Sequence, residues 1–99
     1  MTSDTSMELP VNYEKTHYTR RKLIREEYAR RQDGLCCYCK APLDGRASKV
    51  VRGKSVNRKL APKNFFKWPV HLQHCHNTGM TIGAVHAYCN AVLWQYEGK

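Results

Sequence analysis

Two pairs of potential metal-binding residues, far apart in the chain, limit the possible folds more than any other feature of the sequence. Cys36 and Cys39 have the C-x2-C spacing with which a tight turn presents two thiolates to one tetrahedral ion. His86 and Cys89 repeat that spacing near the C-terminal end. Four thiolate and imidazole ligands suit Zn²⁺ and leave no open coordination position, so we expect a structural zinc site. The alternative is that the cysteines are buried thiols and His86 is an unrelated helix residue.

The composition favours a bound metal over disulfide bonds. With 99 residues, two Phe and two Trp, the chain offers a thin apolar core, and a metal would supply much of the folding energy. Its five cysteines are an odd number, which argues against a closed set of disulfides. The N-terminus lacks the features of a signal peptide, and no window is apolar enough to span a membrane. We therefore expect an intracellular, cytoplasmic protein without a membrane partner.

The residue pattern predicts a small, zinc-stabilised α+β domain behind a flexible tail. The tail covers residues 1–12, and the domain covers residues 13–99. Within the domain we expect, in order, a helix over 13–34, a zinc-binding turn over 35–43, a basic loop over 44–68 and a hairpin followed by a helix over 69–99. The loop contains a weak strand signal at Val50 and Val51.

Positive charge is the clearest indication of a partner. The formal net charge is +9, from 17 Lys and Arg against 8 Asp and Glu, which favours a polyanion such as DNA, RNA or an anionic surface. The helix over 13–34 is basic in its first half, either as a solvated face or as a direct DNA contact. The basic loop is expected to follow a phosphate backbone through Arg46, Lys49, Arg52, Lys54, Arg58, Lys59 and Lys63.

Three motifs together resemble those of the HNH (His-Me finger) endonucleases. They are Leu35-Cys-Cys-Tyr-Cys39, His71-Leu-Gln-His-Cys-His76 and Cys89-Asn90. The likeness is greatest to the branch typified by the phage recombination endonuclease VII. It runs from about Tyr28 to Leu93, with the basic loop as an insertion. It implies a ββα-metal fold over 69–99 and a DNA substrate.

The resemblance also implies roles for individual residues. His74 would be the general base that activates water, and Asn90 would hold a catalytic Mg²⁺ or Mn²⁺. Cys36, Cys39, His86 and Cys89 would hold the structural zinc. The family's metal-binding aspartate is replaced by Gln73, whose neutral amide binds Mg²⁺ more weakly than a carboxylate.

Three further positions were left with open roles. Cys75 replaces a second family aspartate and is expected to be a bystander thiol. His76 would contact a phosphate or the catalytic ion. His71 is either part of the site or only a packed strand residue.

We therefore expect a metal-dependent DNA endonuclease or nickase, and a symmetric or branched target would favour a homodimer. Because short free-standing proteins of this type are typical of phages, a phage origin with action in the bacterial host is a further expectation. Two alternatives remain at this point. One is a catalytically weak or inactive zinc module that binds nucleic acid. The other is a protein-interaction domain whose docking surface is formed by Phe65, Phe66, Trp68 and Trp94.

Overall fold

A two-stranded antiparallel hairpin occupies the centre of the computed structural model, which describes residues 8–98. Strand β1 is Val70–His74 and strand β2 is Thr81–His86, in a register that pairs Leu72 with Ala84. The register shifts between Gln73 and His74, where the ladder is irregular. The predicted hairpin is confirmed.

Helix α1, Tyr18–Arg31, packs against the hairpin and begins five residues later than predicted. His17 caps its N-terminus, and Ile24 is its fully buried side chain. Gln32 then ties the end of the helix to β2. Its side-chain Nε2 donates to the Ala84 carbonyl, and its Oε1 accepts from the Ala84 N–H, both at 2.9 Å.

Val11 and Asn12, at the end of the segment expected to be a flexible tail, pair with the hairpin. Val11 N donates to Thr81 Oγ1 at 3.0 Å, and Thr81 N donates to the Val11 carbonyl at 2.8 Å. Asn12 forms a bridge with Met80. The structure thus departs from the expected tail boundary at Val11 and Asn12, and residues 1–7 lie outside the described residues.

The basic segment over 44–68 contains short helical turns rather than a strand. Helix α2 is Lys49–Arg52, and 3₁₀ turns follow at Arg58–Leu60 and Phe65–Lys67. The strand signal at Val50 and Val51 was wrong. Ser48 accepts a hydrogen bond from Val51 N at 3.4 Å and starts a helical turn that buries Val51 but leaves Val50 exposed.

Helix α3, Ala87–Glu97, follows β2 directly and ends at Gly98, whose φ is +71°. It contributes Val92 and Cys89 to the core. The largest fully buried side chains of the described residues are only Ile24, Val85, Val92, Cys36 and Cys89. Two of these five, Cys36 and Cys89, are proposed metal ligands, so the metal site forms part of the core. Within residues 8–98, no helix is long and apolar enough to cross a membrane.

The close approach of Gly83 to Gln32 and Cys37 predicts a stability change. A Cβ at Gly83 would lie 2.8 Å from Gln32 Oε1 and 2.9 Å from Cys37 Sγ, and Gln32 is held by its hydrogen bonds to Ala84. We expect Gly83→Ala to lower the free energy of unfolding by about 1–3 kcal/mol, measured by urea denaturation. Gly45→Ala is the matched control, because its nearest neighbour would be 3.7 Å away. Equal stability of the two variants would contradict the packing at Gly83.

Candidate metal centre and adjoining cavity

The four predicted ligands Cys36, Cys39, His86 and Cys89 come together in space. Their ligand atoms all lie within 4.8 Å of one another, and His86 Nδ1 lies 3.4 Å from Cys39 Sγ and 3.5 Å from Cys89 Sγ. Sulfur and nitrogen ligands bound tetrahedrally at about 2.0–2.3 Å are about 3.5–3.8 Å apart. The cluster could therefore hold a structural metal ion such as zinc, as the two spacings predicted.

The hydrogen bond of His86 selects the imidazole tautomer that a metal needs. His86 is buried, and its Nε2 lies 2.8 Å from the Pro42 carbonyl. A carbonyl only accepts, so Nε2 carries the proton, and the lone pair of Nδ1 faces the cysteine sulfurs. A metal-ligating histidine usually donates its other ring N–H to a carbonyl or carboxylate in this way, which fixes the orientation of the ring.

Backbone N–H groups of the turn around Cys36 also point at sulfur. The N–H groups of Tyr38 and Cys39 donate to Cys36 Sγ at 3.4 Å and 3.5 Å, and the Ser48 N–H donates to Cys39 Sγ at 3.4 Å. The hydrogen bond from Cys89 lowers the pKa of the Cys36 thiol, against an opposing effect of burial, and backbone N–H groups lower it further, while the same contact raises the pKa of Cys89. The turn is therefore suited to hold thiolate, the form that binds metal.

Cys37 lies outside the cluster. Its N–H donates to the Ala84 carbonyl at 2.9 Å, and its side chain packs beside Gly83. This agrees with a C-x2-C turn in which the intervening residues face away from the ion.

A cavity of about 750 Å³ lies on the other side of the hairpin, between α1, β1, α3 and the Phe65–Lys67 turn. His71, His74, His76 and Asn90 contribute to its wall. No aspartate or glutamate of the described residues does. Gln73 is buried in β1 opposite Gly83 and is absent from the cavity wall.

His74 is held against the ring of Tyr13. The two ring centroids are 4.0 Å apart and the planes differ by 10°, and Arg21 lies over the same tyrosine with Cζ 3.8 Å from its centroid. Arg21 also donates to the Tyr13 carbonyl through Nε at 3.0 Å and Nη2 at 2.7 Å. Burial lowers the pKa of His74 from its ordinary value, and the positive charges of His76 and Arg21 lower it further, against an opposing effect of Glu14. The imidazole is therefore neutral at physiological pH.

Asn90 contacts His71 rather than His74. Asn90 Nδ2 lies 3.1 Å from His71 Nδ1, and His71 Nε2 lies 2.8 Å from the Phe65 carbonyl. Because Nε2 donates to that carbonyl, Nδ1 accepts and the Asn90 amide donates. The amide oxygen of Asn90 is then the atom free to act as a ligand. His71, whose role the sequence left open, thus orients Asn90 and packs on Phe65.

The positive charge at this cavity comes from α1 and not from the basic loop. Arg21, Lys22 and Arg25 contribute to its wall, whereas none of the seven loop residues predicted to bind nucleic acid does. Arg46, Arg52 and Arg58 instead line a second cavity of about 460 Å³, which includes His86. The sequence left a DNA contact of the α1 cations open, and their position in the fold became visible only with the hairpin in place.

Comparisons of the chain with protein-family models, curated proteins and solved structures found no match. The candidate roles of His74 and Asn90 therefore depend on the motifs and on the geometry of the cavity.

The stacking of His74 on Tyr13 gives a prediction that can be tested without an assay of DNA cleavage. Replacement of Tyr13 by alanine removes the ring that shields His74 from water, so we expect the pKa of His74 to rise toward 6.5, measured by NMR titration of the imidazole. Tyr13→Phe keeps the ring and should leave the pKa near its wild-type value. If Tyr13→Ala and Tyr13→Phe give the same pKa, the stack does not control the titration of His74.

Proposed function

We propose that the protein is a metal-dependent DNA endonuclease or nickase of the HNH type, with His74 as its general base. The observation that carries the proposal is the His74 imidazole, stacked on Tyr13 in a cavity to whose wall the described residues contribute arginine and lysine but no carboxylate. Burial lowers the pKa of His74, which favours the neutral form. A cationic wall attracts phosphodiesters, and a neutral imidazole accepts a proton from water.

The proposed chemistry is hydrolysis of a phosphodiester. His74 removes a proton from a water molecule, and the resulting hydroxide attacks phosphorus opposite the leaving oxygen. The P–O bond to the 3′ oxygen breaks, that oxygen takes up a proton, and the products are a 5′-phosphate and a 3′-hydroxyl. Arg21, Lys22 and Arg25 would hold the flanking phosphates, as charge-assisted donors do.

The residues present fit a catalytic divalent ion only in part. The Asn90 amide oxygen is a suitable ligand and His76 lies on the same wall. Mg²⁺ favours carboxylate oxygens, however, and none of residues 8–98 contributes a carboxylate to the wall. Gln73 could take part only after a local rearrangement, because its side chain is buried outside the wall. A bound Mg²⁺ or Mn²⁺ would stabilise charge on the leaving oxygen.

We further propose that zinc occupies the Cys36, Cys39, His86 and Cys89 cluster. Its role would be to fix the end of β2 and the start of α3 to the turn over 35–43, and so to set the position of Asn90 next to Cys89. A complete four-ligand set leaves no position for substrate, so this ion would take no part in the hydrolysis.

Within the described residues no carboxylate lines the wall, and this favours one second candidate, a zinc module that binds nucleic acid without cutting it. A nicking assay separates the two. Zinc-loaded protein is incubated with supercoiled plasmid in Mg²⁺ or Mn²⁺ over a range of salt concentrations. Metal-dependent conversion to open circles supports the nuclease, and intact plasmid under all conditions together with salt-sensitive binding supports the second candidate.

A further inference from the structure

Aromatic side chains form a large part of the cavity beside His74. Both tryptophans of the chain, Trp68 and Trp94, lie in its wall together with Phe65 and Tyr18. Trp68 is 61% exposed and Tyr18 is 72% exposed. Large rings left accessible at the edge of a site are available to a ligand, whereas rings that only complete a core are buried.

The inner part of this aromatic wall is held in place by the residues of the proposed active site. The centroid of Phe65 lies 4.6 Å from that of His71 and 6.4 Å from that of Trp94. The Phe65 carbonyl accepts from His71, which in turn accepts from Asn90. A ligand base stacked in this cavity would therefore lie beside aromatic residues whose positions are linked to Asn90 by hydrogen bonds.

Helix α1, which contributes Tyr18, also contributes cations to the cavity wall. Arg21 and Arg25 are one helical turn apart on α1 with Lys22 beside them. Part of the Arg21 guanidinium is already engaged by the Tyr13 carbonyl, whereas Lys22 and Arg25 form no ion pair within the described residues. Phosphates would neutralise this charge. The combination of aromatic faces and basic side chains is typical of sites that bind single-stranded nucleic acid, where bases stack and phosphates meet basic side chains.

We propose that the cavity binds one or two unpaired nucleotides of DNA, with a base against the exposed ring of Trp68 and the adjoining phosphates on α1. A base within a duplex already has both faces covered by its neighbours, so only a single-stranded or locally unpaired segment can present a face to these rings. The volume of about 750 Å³ lies within the range of about 300–1,000 Å³ that is usual for small-ligand sites. The delivery of a phosphate to His74 rests on the proposed function, but the stacking itself does not.

Tryptophan fluorescence tests the proposal directly, because both tryptophans of the chain contribute to the cavity wall. The full, zinc-loaded chain is titrated, without added Mg²⁺ or Mn²⁺, with three DNAs of equal length. They are a single-stranded oligothymidylate, a blunt duplex, and a single strand whose central nucleotides are abasic. We expect the oligothymidylate to quench the fluorescence and to bind about tenfold or more tightly than the abasic strand, in line with one stacked base.

Variants separate stacking from general charge attraction. Trp68→Ala should weaken binding of the oligothymidylate but not of the duplex, and Trp68→Phe should restore much of the loss. Tyr96→Ala is the control, because Tyr96 is an exposed aromatic residue that is not part of the cavity wall. Equal affinity for all three DNAs, or no effect of Trp68→Ala, would overturn the proposal.

The outcomes distinguish this proposal from the proposed function. Base-dependent quenching together with an intact plasmid in the nicking assay would mean that the cavity binds unpaired DNA but the protein is not a nuclease. Plasmid cleavage without a preference for the oligothymidylate would support the proposed nuclease activity and contradict the proposed stacking site.

Discussion

Replacement of His74 by alanine is expected to reduce DNA cleavage by about 100- to 10,000-fold, the usual contribution of a general base. The reason is that His74 is a partly buried imidazole with a lowered pKa, in a cavity whose wall carries Arg21, Lys22 and Arg25. The measurement is the initial rate of plasmid nicking at fixed enzyme, metal and salt concentrations.

The control for this variant is His17→Asn. His17 is the histidine that lies outside the cavity wall and the metal cluster, and asparagine can replace it as the cap of α1. Because His74→Ala also removes the stack with Tyr13, its circular dichroism and zinc content must match those of wild type. A folded His74→Ala protein that nicks at the wild-type rate would contradict the assignment of His74 as the general base.

Removal of the metal from the Cys36, Cys39, His86 and Cys89 cluster is expected to unfold the domain. Structural zinc sites of this type contribute about 10–16 kcal/mol of apparent binding free energy, as much as the 5–15 kcal/mol of a whole folded domain. Two of the largest fully buried side chains are themselves ligands of this cluster, so little core remains without it. The measurement is the loss of the far-ultraviolet dichroism signal on addition of a strong zinc chelator.

Two cysteine substitutions, one inside the cluster and one outside it, test the role of the metal. Cys36→Ser should unfold the chain or lower its affinity for zinc greatly, whereas Cys37→Ser, one residue along but outside the cluster, should keep one zinc per chain. Retention of the fold after complete removal of zinc, shown by elemental analysis of the same sample, would contradict a structural role for the metal.

Local signals carried most of what the sequence predicted correctly. The two ligand spacings predicted the cluster because four thiolate and imidazole groups have few other reasons to be spaced in this way. The hairpin and helix predicted over 69–99 are likewise accompanied by local signals, a turn at Asn77-Thr-Gly79 and a glycine at 98 after α3. Each of these features depends on residues that are close in the chain.

Features that depend on distant contacts were predicted less well. The attachment of Val11 to Thr81 and the stack of Tyr13 on His74 join segments about 60 to 70 residues apart, and no local pattern encodes them. The same reason explains the cationic wall, because Arg21 and Arg25 meet β1 only after α1 packs on the hairpin. The burial of Gln73 likewise follows from the pairing of β1 with β2, in which Gln73 lies opposite Gly83.

The measurement that tests the central claim most directly compares the pH dependence of cleavage with the titration of His74 itself. The general base must be neutral, so activity should fall as pH drops through the pKa of His74, which burial places below its ordinary value of 6.5. We predict that the pH midpoint of the single-turnover nicking rate and the NMR midpoint of His74 coincide, both below 6.5. Absence of cleavage at every pH, or a rate that does not follow the His74 titration, would contradict it.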